Sequence, residues 1–444
     1  MSERPENLQF VYPRFLGAKF FSSLERLLHI EAVGGVVLLC FAIIALCWAN
    51  SGFAESYEQI WHTQLTLGIG AYQVTPSLHF IINDVLMTVF FLVVGMEIRR
   101  EIYDGALSDL RAAALPVIAA IGGVVTPALI FIALNSDEVA QRGWAIPMAT
   151  DIAFAIGVLA LLGKSVPPAV RVFLLSLAII DDIIAIAVIA IFYSDGLNYA
   201  GIIPVGAGMA LVLLFQRLGL GSGWAYIVPG AILWCGLLYM GIHPTLAGVI
   251  LGFMTPVIAF YRRDDALLIA TEAVHKFKTT TTDDLAPLKQ LHYAQRELLP
   301  PVIRIQLILH PWVMYTVMPL FALANAGVSL DGFGGGSVVS QHIMLGVFAG
   351  LLLGKPVGIT LSCWLAMKSG LCKLPADLSL KSLLLIGLLA GIGFTMSIFI
   401  AMLSFSQPEM LAAAKTGVLL ASLCSGCIGL SMGYLLYKRK RSIG

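Results

Sequence analysis

Long apolar runs dominate this chain, and twelve of them stand out. They cover residues 30–50, 77–98, 112–134, 144–163, 172–193, 200–216, 223–241, 243–260, 309–331, 341–367, 382–404 and 410–436. Most reach the roughly 20 residues a helix needs to cross about 30 Å of hydrocarbon. The sixth is short, and only Gly241-Ile242-His243-Pro244 separates the seventh from the eighth. The pattern predicts an all-α polytopic membrane protein with about twelve transmembrane helices. Residues 1–444 then form a single integral-membrane domain.

The polar stretches punctuate that pattern. The longest, 261–308, opens on Arg262-Arg263-Asp264-Asp265 and ends near Pro300-Pro301, which predicts a cytoplasmic loop carrying one amphipathic helix. Residues 63–75 alternate around Gly68 and Gly70, a hairpin signal between the first two spans, on the outer side. An exposed hairpin edge offers a pairing surface to a second copy of the chain.

Composition agrees with membrane burial. Hydrophobic residues make up 59% and charged residues 12%. Mean hydropathy is +0.90. Soluble domains carry about twice that charged fraction, so a water-soluble fold is excluded. A net charge of +1 gives no footprint for nucleic acid. With the N-terminus inside and twelve spans, 24 of the 27 lysines and arginines fall in cytoplasmic segments, including the N-terminal 1–29 and the basic tail 437–444. Arg142 lies outside, and Lys355 and Lys415 lie within spans. Both termini are therefore expected in the cytoplasm. The first apolar run is too long for a signal-peptide core, so no cleavage is expected. Seven cysteines are scattered, and Cys424-x-x-Cys427 sits in an apolar helix without His or acidic neighbours, which reads as packing.

Two spans carry interruptions that a lipid-facing helix avoids. One is Ala145-Ile146-Pro147-Met148-Ala149-Thr150-Asp151 in the fourth; the other is Leu389-Ala390-Gly391-Ile392-Gly393-Phe394-Thr395 in the eleventh. Each is the middle of a triplet, and the triplets enter the membrane in opposite senses. Inverted repeats with broken helices at matching places point to a binding site near the midplane.

An ionisable side chain within a span costs about 2.5–3.5 kcal/mol on insertion scales. Asp151, Asp181, Asp182 and Lys355 sit deep in apolar stretches. Glu97, Arg100 and Glu101 lie near a cytoplasmic end, and Glu31, Asp84 and Lys415 near span ends, where they read as interfacial anchors. Adjacent helical residues point about 100° apart, so Asp181 and Asp182 address one cavity from different angles. Burial and mutual repulsion disfavour two bare charges there. A hard cation and protons then compete for the same oxygens. Lys355 needs a counter-ion, with Asp181 or Asp182 the candidate and Asp151 the alternative. It acts either as a second proton carrier or as a salt bridge joining two helices. Asp151 follows a prolyl break, where it serves as a ligand or as compensation for unpaired N–H groups, Lys355 balancing the unpaired carbonyls.

Two rival chemistries fit less well. Intramembrane aspartyl proteases pair aspartates across neighbouring helices, one in a Gly-x-Gly-Asp context that none of these three has. A sodium-coupled solute symporter needs polar groups for an organic substrate, and the broken spans supply few beyond Thr395 and Ser397.

Ala149-Thr150-Asp151-Ile152-Ala153-Phe154-Ala155, Ala178-Ile179-Ile180-Asp181-Asp182, Gly354-Lys355-Pro356 and Gly391-Ile392-Gly393-Phe394-Thr395-Met396-Ser397-Ile398-Phe399 together resemble the NhaA-type sodium/proton antiporters. Gly143-Trp144-Ala145-Ile146-Pro147, His243-Pro244-Thr245-Leu246-Ala247-Gly248-Val249 and Ala324-Asn325-Ala326-Gly327-Val328-Ser329-Leu330 fit as well, in order along nearly the whole chain. Broken helices crossing within inverted repeats are already associated with that family. The resemblance implies electrogenic, pH-regulated exchange of internal sodium or lithium for external protons in a bacterial inner membrane, without a cofactor. It implies Asp182 as a principal cation ligand, Asp181 as a ligand or partner of Lys355, and Thr150 and Asp151 lining the site. It further implies a cytoplasmic funnel where Glu97, Arg100, Glu101 and His243 set pH dependence, and a homodimer joined through the 63–75 hairpin. Two departures stand out: Gln306 replaces a frequent acidic residue, and the 261–308 loop is longer than the family pattern.

Overall fold

A computed structural model describes residues 31–438, apart from 70–71, 106, 195, 197, 221–222, 259–262, 280–285, 298, 330–336 and 376–377. The N-terminal 1–30 and most of the basic tail lie outside the described residues.

Helices account for nearly all of it. Helix α1 (Glu31–Ala49) turns by 114° into the short α2 (Ala54–His62), whose Tyr57 and Trp61 are buried. The expected hairpin follows as strands β1 (Leu67–Ile69) and β2 (Tyr72–Val74), antiparallel with Leu67 opposite Val74. Long apolar helices come next: α3 (Leu78–Asp104), α4 (Leu110–Leu134), the broken pair α5 (Glu138–Met148) and α6 (Ile152–Leu161), α7 (Pro168–Phe192), α8 (Tyr199–Arg217) and α9 (Gly223–Met240). Gly241 ends α9 in the left-handed conformation at φ 81°, where glycine carries no Cβ penalty.

The expected eighth span, 243–260, is helical only over α10 (Leu246–Met254). Nine residues rise ~14 Å, too little to cross alone. Among the described residues, eight helices are long and apolar enough to cross, or eleven when each bent pair counts as one span. The half-length α10 accounts for the remaining expected segment.

The 261–308 segment departs from expectation. It forms two helices, α11 (Arg263–Thr279) and α12 (Ala286–Glu297), packed on each other, and the next span already begins at Pro301. Proline suits that first helical position because its missing N–H is unpaired there anyway. The Val302 N–H donates to the Pro256 carbonyl at 3.2 Å, which brings the two ends of this insertion together.

The chain closes with α13 (Pro301–Asn325), α14 (Val338–Lys368), the second broken pair α15 (Leu380–Ala390) and α16 (Phe394–Ser404), and α17 (Pro408–Tyr437). The sequence of long, broken and long helices thus occurs twice, in α4–α7 and α14–α17. Their first members run antiparallel. Gly122 of α4 lies against Gly358 and Ser362 of α14, Pro127 against Gly350 and Gly354, and the Asn135 amide donates to the His342 carbonyl at 3.3 Å. A Cβ on Gly358 would strike the Gly122 carbonyl, so the backbones meet without side chains between them. Outward faces stay apolar, as with Ile191, Ile203 and Trp224, which suits lipid contact.

Candidate functional site

The two breaks meet. Pro147 and the tight 3-10 turn Arg142–Met148 end α5; residues 149–151 run extended and α6 starts at Ile152. In the second pair, residues 391–393 separate α15 from α16. The bends are 45° and 50°. A direct backbone bond joins them, Asp151 N–H to the Ile392 carbonyl at 2.7 Å.

Each break leaves helix-end N–H and C=O groups deep in the protein, and side chains satisfy them. Asp151 caps both N-termini at once. Its Oδ1 accepts from Phe154 N–H at 3.0 Å, and its Oδ2 accepts from Thr395 N–H at 3.1 Å and Thr395 Oγ1 at 2.5 Å. Ser422 of α17 accepts from Phe394 N–H at 3.1 Å. On the carbonyl side, Thr150 Oγ1 lies 3.0 Å from the Ala390 carbonyl oxygen. The lysine expected to face the carbonyl ends acts through this threonine instead.

Lys355 is entirely inaccessible, and its ammonium donates to Asp181 Oδ2 at 2.5 Å and to Thr150 Oγ1 at 2.5 Å. Thr150 Oγ1 is also 2.7 Å from Asp181 Oδ2. The counter-ion of Lys355 is therefore Asp181, while Asp151 is occupied by helix ends. Asp182, one residue on in α7, is 2% exposed and lies outside that triangle. Its Oδ1 and the Asp181 Oδ1 are buried without a hydrogen-bond partner. The charges that act on Asp182 are Asp181, Glu97, Asp151 and Lys355. Two carboxylate oxygens thus remain able to accept a proton or coordinate a hard cation, inside a net anionic cluster.

The remaining expected residues divide. Arg100 lies 3.4 Å from Gln306 Oε1 and 3.7 Å from Glu101 Oε1, one turn along α3 from Glu97. His243 is elsewhere. Its Nε2 lies 3.6 Å from Asp84 Oδ1, its Nδ1 2.7 Å from Thr245 Oγ1, and its ring packs edge-on against Phe399. Thirteen residues of helix, ~20 Å, separate Asp84 from Glu97. The four residues grouped by resemblance therefore occupy two places, and Asp84 is a partner of His243 rather than an interfacial anchor. Ser422 and the His79–Asn83–Asn325 cluster were missed. A histidine and an asparagine four residues apart in an apolar run were the available signal.

Comparison with known proteins follows the same lines. The family model described as Na+/H+ antiporter 1 matches residues 25–432. A Cupriavidus necator protein named Na(+)/H(+) antiporter NhaA is 57% identical over 433 residues, 96% of this chain and 92% of its own length. A protein of the same name from Janthinobacterium sp. is 55% identical over 433 residues, covering 96% of both chains. Another from Bartonella henselae is 53% identical over 425 residues, 95% of this chain and 94% of its own.

Proposed function

Because the chain belongs to the Na+/H+ antiporter 1 family, and is accordingly a multi-pass sodium/proton antiporter, we propose that Asp181 and Asp182 are where the two ions compete. The observation that carries this reading is the pair of buried carboxylate oxygens, one on each aspartate, without partners. A cation arriving at Asp182 and Asp181 neutralises the cluster and drives protons off it. Protons arriving from the other side remove the cation in turn. Thr150 adds a hydroxyl oxygen to the cation's ligands, and Asp151 holds the broken helices so that the ligands stay in register.

Lys355 sets the stoichiometry in this scheme. Sodium binding to Asp181 competes with the ammonium for that carboxylate, so the lysine lets go and surrenders its proton as the ion enters, and takes one up again as the ion leaves. With that proton moving in addition to the one on Asp182, more protons move inward than cations outward, and the exchange carries net charge. Lithium, also a hard oxygen-seeking cation, substitutes for sodium. Glu97, Arg100 and Glu101 near the cytoplasmic end of α3 bias ion approach by their charge. The protein works in a bacterial inner membrane, with both termini cytoplasmic, as a homodimer paired through the β1–β2 hairpin.

The test is direct. Purified protein in liposomes with an imposed acid interior should show sodium- and lithium-dependent proton efflux, potassium having no effect. A membrane potential should change the rate, since each net charge gains about 2.3 kcal/mol per 100 mV. Proton flux indifferent to sodium would defeat the reading, and flux indifferent to potential would defeat its electrogenic part.

A further inference from the structure

The two helices of the insertion bury only part of their apolar surface against each other. Ala273 of α11 and Ala294 of α12 are fully buried. Lys276 of α11 pairs with Glu272 of its own helix at 2.9 Å and reaches Gln290 Oε1 of α12 at 3.5 Å. Leu267, Leu268 and Val274 take no part in that seam and are 45%, 66% and 44% exposed. Leu267, Thr271 and Val274 stand at i, i+4 and i+7, one face of a helix, and Leu268 adjoins them. Exposed Glu272 and His275 border this face. Among the described residues of α12, Leu288 is the one large apolar side chain left exposed.

Thr271 does not interrupt the apolar face. Its hydroxyl turns back into the helix, donating to the Leu268 carbonyl at 2.8 Å and the Leu267 carbonyl at 3.0 Å. In hydrocarbon that is the partner open to a threonine, so the face can enter an apolar phase without stranding a donor.

The insertion also starts where the lipid does. The Val302–Pro256 hydrogen bond joins its two ends, and the span α13 begins at Pro301. Ile258 and Leu299, just outside the two helices, are exposed apolar residues. Leu267 and Leu268 lie only ~6–8 Å along α11 from its start. Three apolar side chains and a threonine fall well short of the roughly 800 Å² that each partner gives to a stable protein interface. They suffice for a helix already tethered to the membrane at both ends of its insertion, because the second contact is then intramolecular.

We propose that α11 lies in the membrane–water interface on its Leu267–Leu268–Thr271–Val274 face, its partner being the lipid leaflet from which the insertion emerges, with α12 riding above it in water. A helix in that plane sinks its apolar face about 5–10 Å into the boundary of headgroups and acyl chains. Held there, α11 fixes the height at which the chain re-enters at Pro301, five residues before the Gln306 that meets Arg100 of α3. The leaflet is the cytoplasmic one in the orientation expected from the loop charges. The antiport reading does not enter the argument.

Nitroxide labels on the full-length protein decide it. The seven native cysteines are replaced by serine or alanine, and the protein is placed in phosphatidylethanolamine–phosphatidylglycerol liposomes. Labels at Leu268→Cys and Val274→Cys should collide with oxygen more often than with a water-soluble nickel chelate. A label at the exposed Lys289→Cys of α12 should do the reverse. All three positions are at the surface, so each labelled protein should unfold in detergent at the parent's temperature. Chelate access at 268 and 274 as high as at 289 would overturn the proposal, since the face would then be in water. Loss of collisions with both reagents would also overturn it: with dipolar broadening between labels the face meets a second copy, and without broadening it is buried against the chain itself. Leu267→Asp combined with Leu268→Asp should lift the helix, raising chelate access at the 274 label severalfold; unchanged access would count against the lipid contact.

Discussion

The two adjacent aspartates of α7 differ in what surrounds them, and their variants should differ accordingly. Asp181 Oδ2 holds Lys355 and meets Thr150, while Asp182 lacks such a partner on its Oδ1. Asp182→Asn removes an ion-accepting oxygen without unpairing a buried charge. It should fold with little change in melting temperature and show sodium-dependent proton flux at background; normal exchange would mean the site lies elsewhere. Lys355→Ala leaves the Asp181 carboxylate buried and uncompensated, a loss of about 3–5 kcal/mol for breaking such a pair. The melting temperature in detergent should fall clearly, and the double variant Lys355→Met, Asp181→Asn should recover most of it. A double variant no more stable than the single would show the ion pair is not what Lys355 contributes. The four residues 149–152 also show how far local pattern reaches. A threonine and aspartate after a proline advertise a helix start, but their partners, Ala390 and Thr395, are some 240 residues away in sequence.

At the scale of elements, the broken helices are held by side-chain caps rather than by apolar packing alone. Asp151 satisfies α6 and α16 together, so Asp151→Ala should cost about 1 kcal/mol per cap, and more where no water replaces it. Asparagine keeps one of the two acceptor oxygens, so it caps one helix end and sets an NH2 against the donors of the other. Asp151→Asn should therefore retain part of the thermal stability that Asp151→Ala loses, read by unfolding in detergent; equal losses would show that the carboxylate's charge, not its acceptor role, is what matters. The break itself was legible because proline and clustered glycines interrupt two apolar runs. The shortening of α10 was not, because residues 255–260 stay apolar while Thr255 and Pro256 end the helix. The second helix of the 261–308 insertion was missed for the opposite reason: its composition is polar overall, so no apolar run marks it, and pairing with α11 stabilises it.

Across the whole molecule, the insertion stands apart from the transport machinery. Helices α11 and α12 pack chiefly on each other, and the Val302–Pro256 hydrogen bond closes the base on which they stand. Replacing residues 263–297 by a short Gly-Ser linker should leave exchange in liposomes within about twofold of the full chain, because closing such a short loop costs little. A transport-dead deletion would show that the insertion reaches the ion path. The amino-acid sequence by itself determined the solvent, the helical class, the two interruptions and the identity of the intramembrane charges. Each of these follows from local facts: a charge in hydrocarbon is costly wherever the chain goes, and a proline or glycine cluster ends a helix regardless of its neighbours. Only the tertiary structure decided that Lys355 pairs with Asp181 rather than Asp182 or Asp151, that Asp151 serves both broken helices, and that His243 sits with Asp84 away from Glu97. Those choices depend on which side chains from distant spans come within 3 Å of each other, and apolar runs of similar length and composition carry no record of which neighbour each will meet.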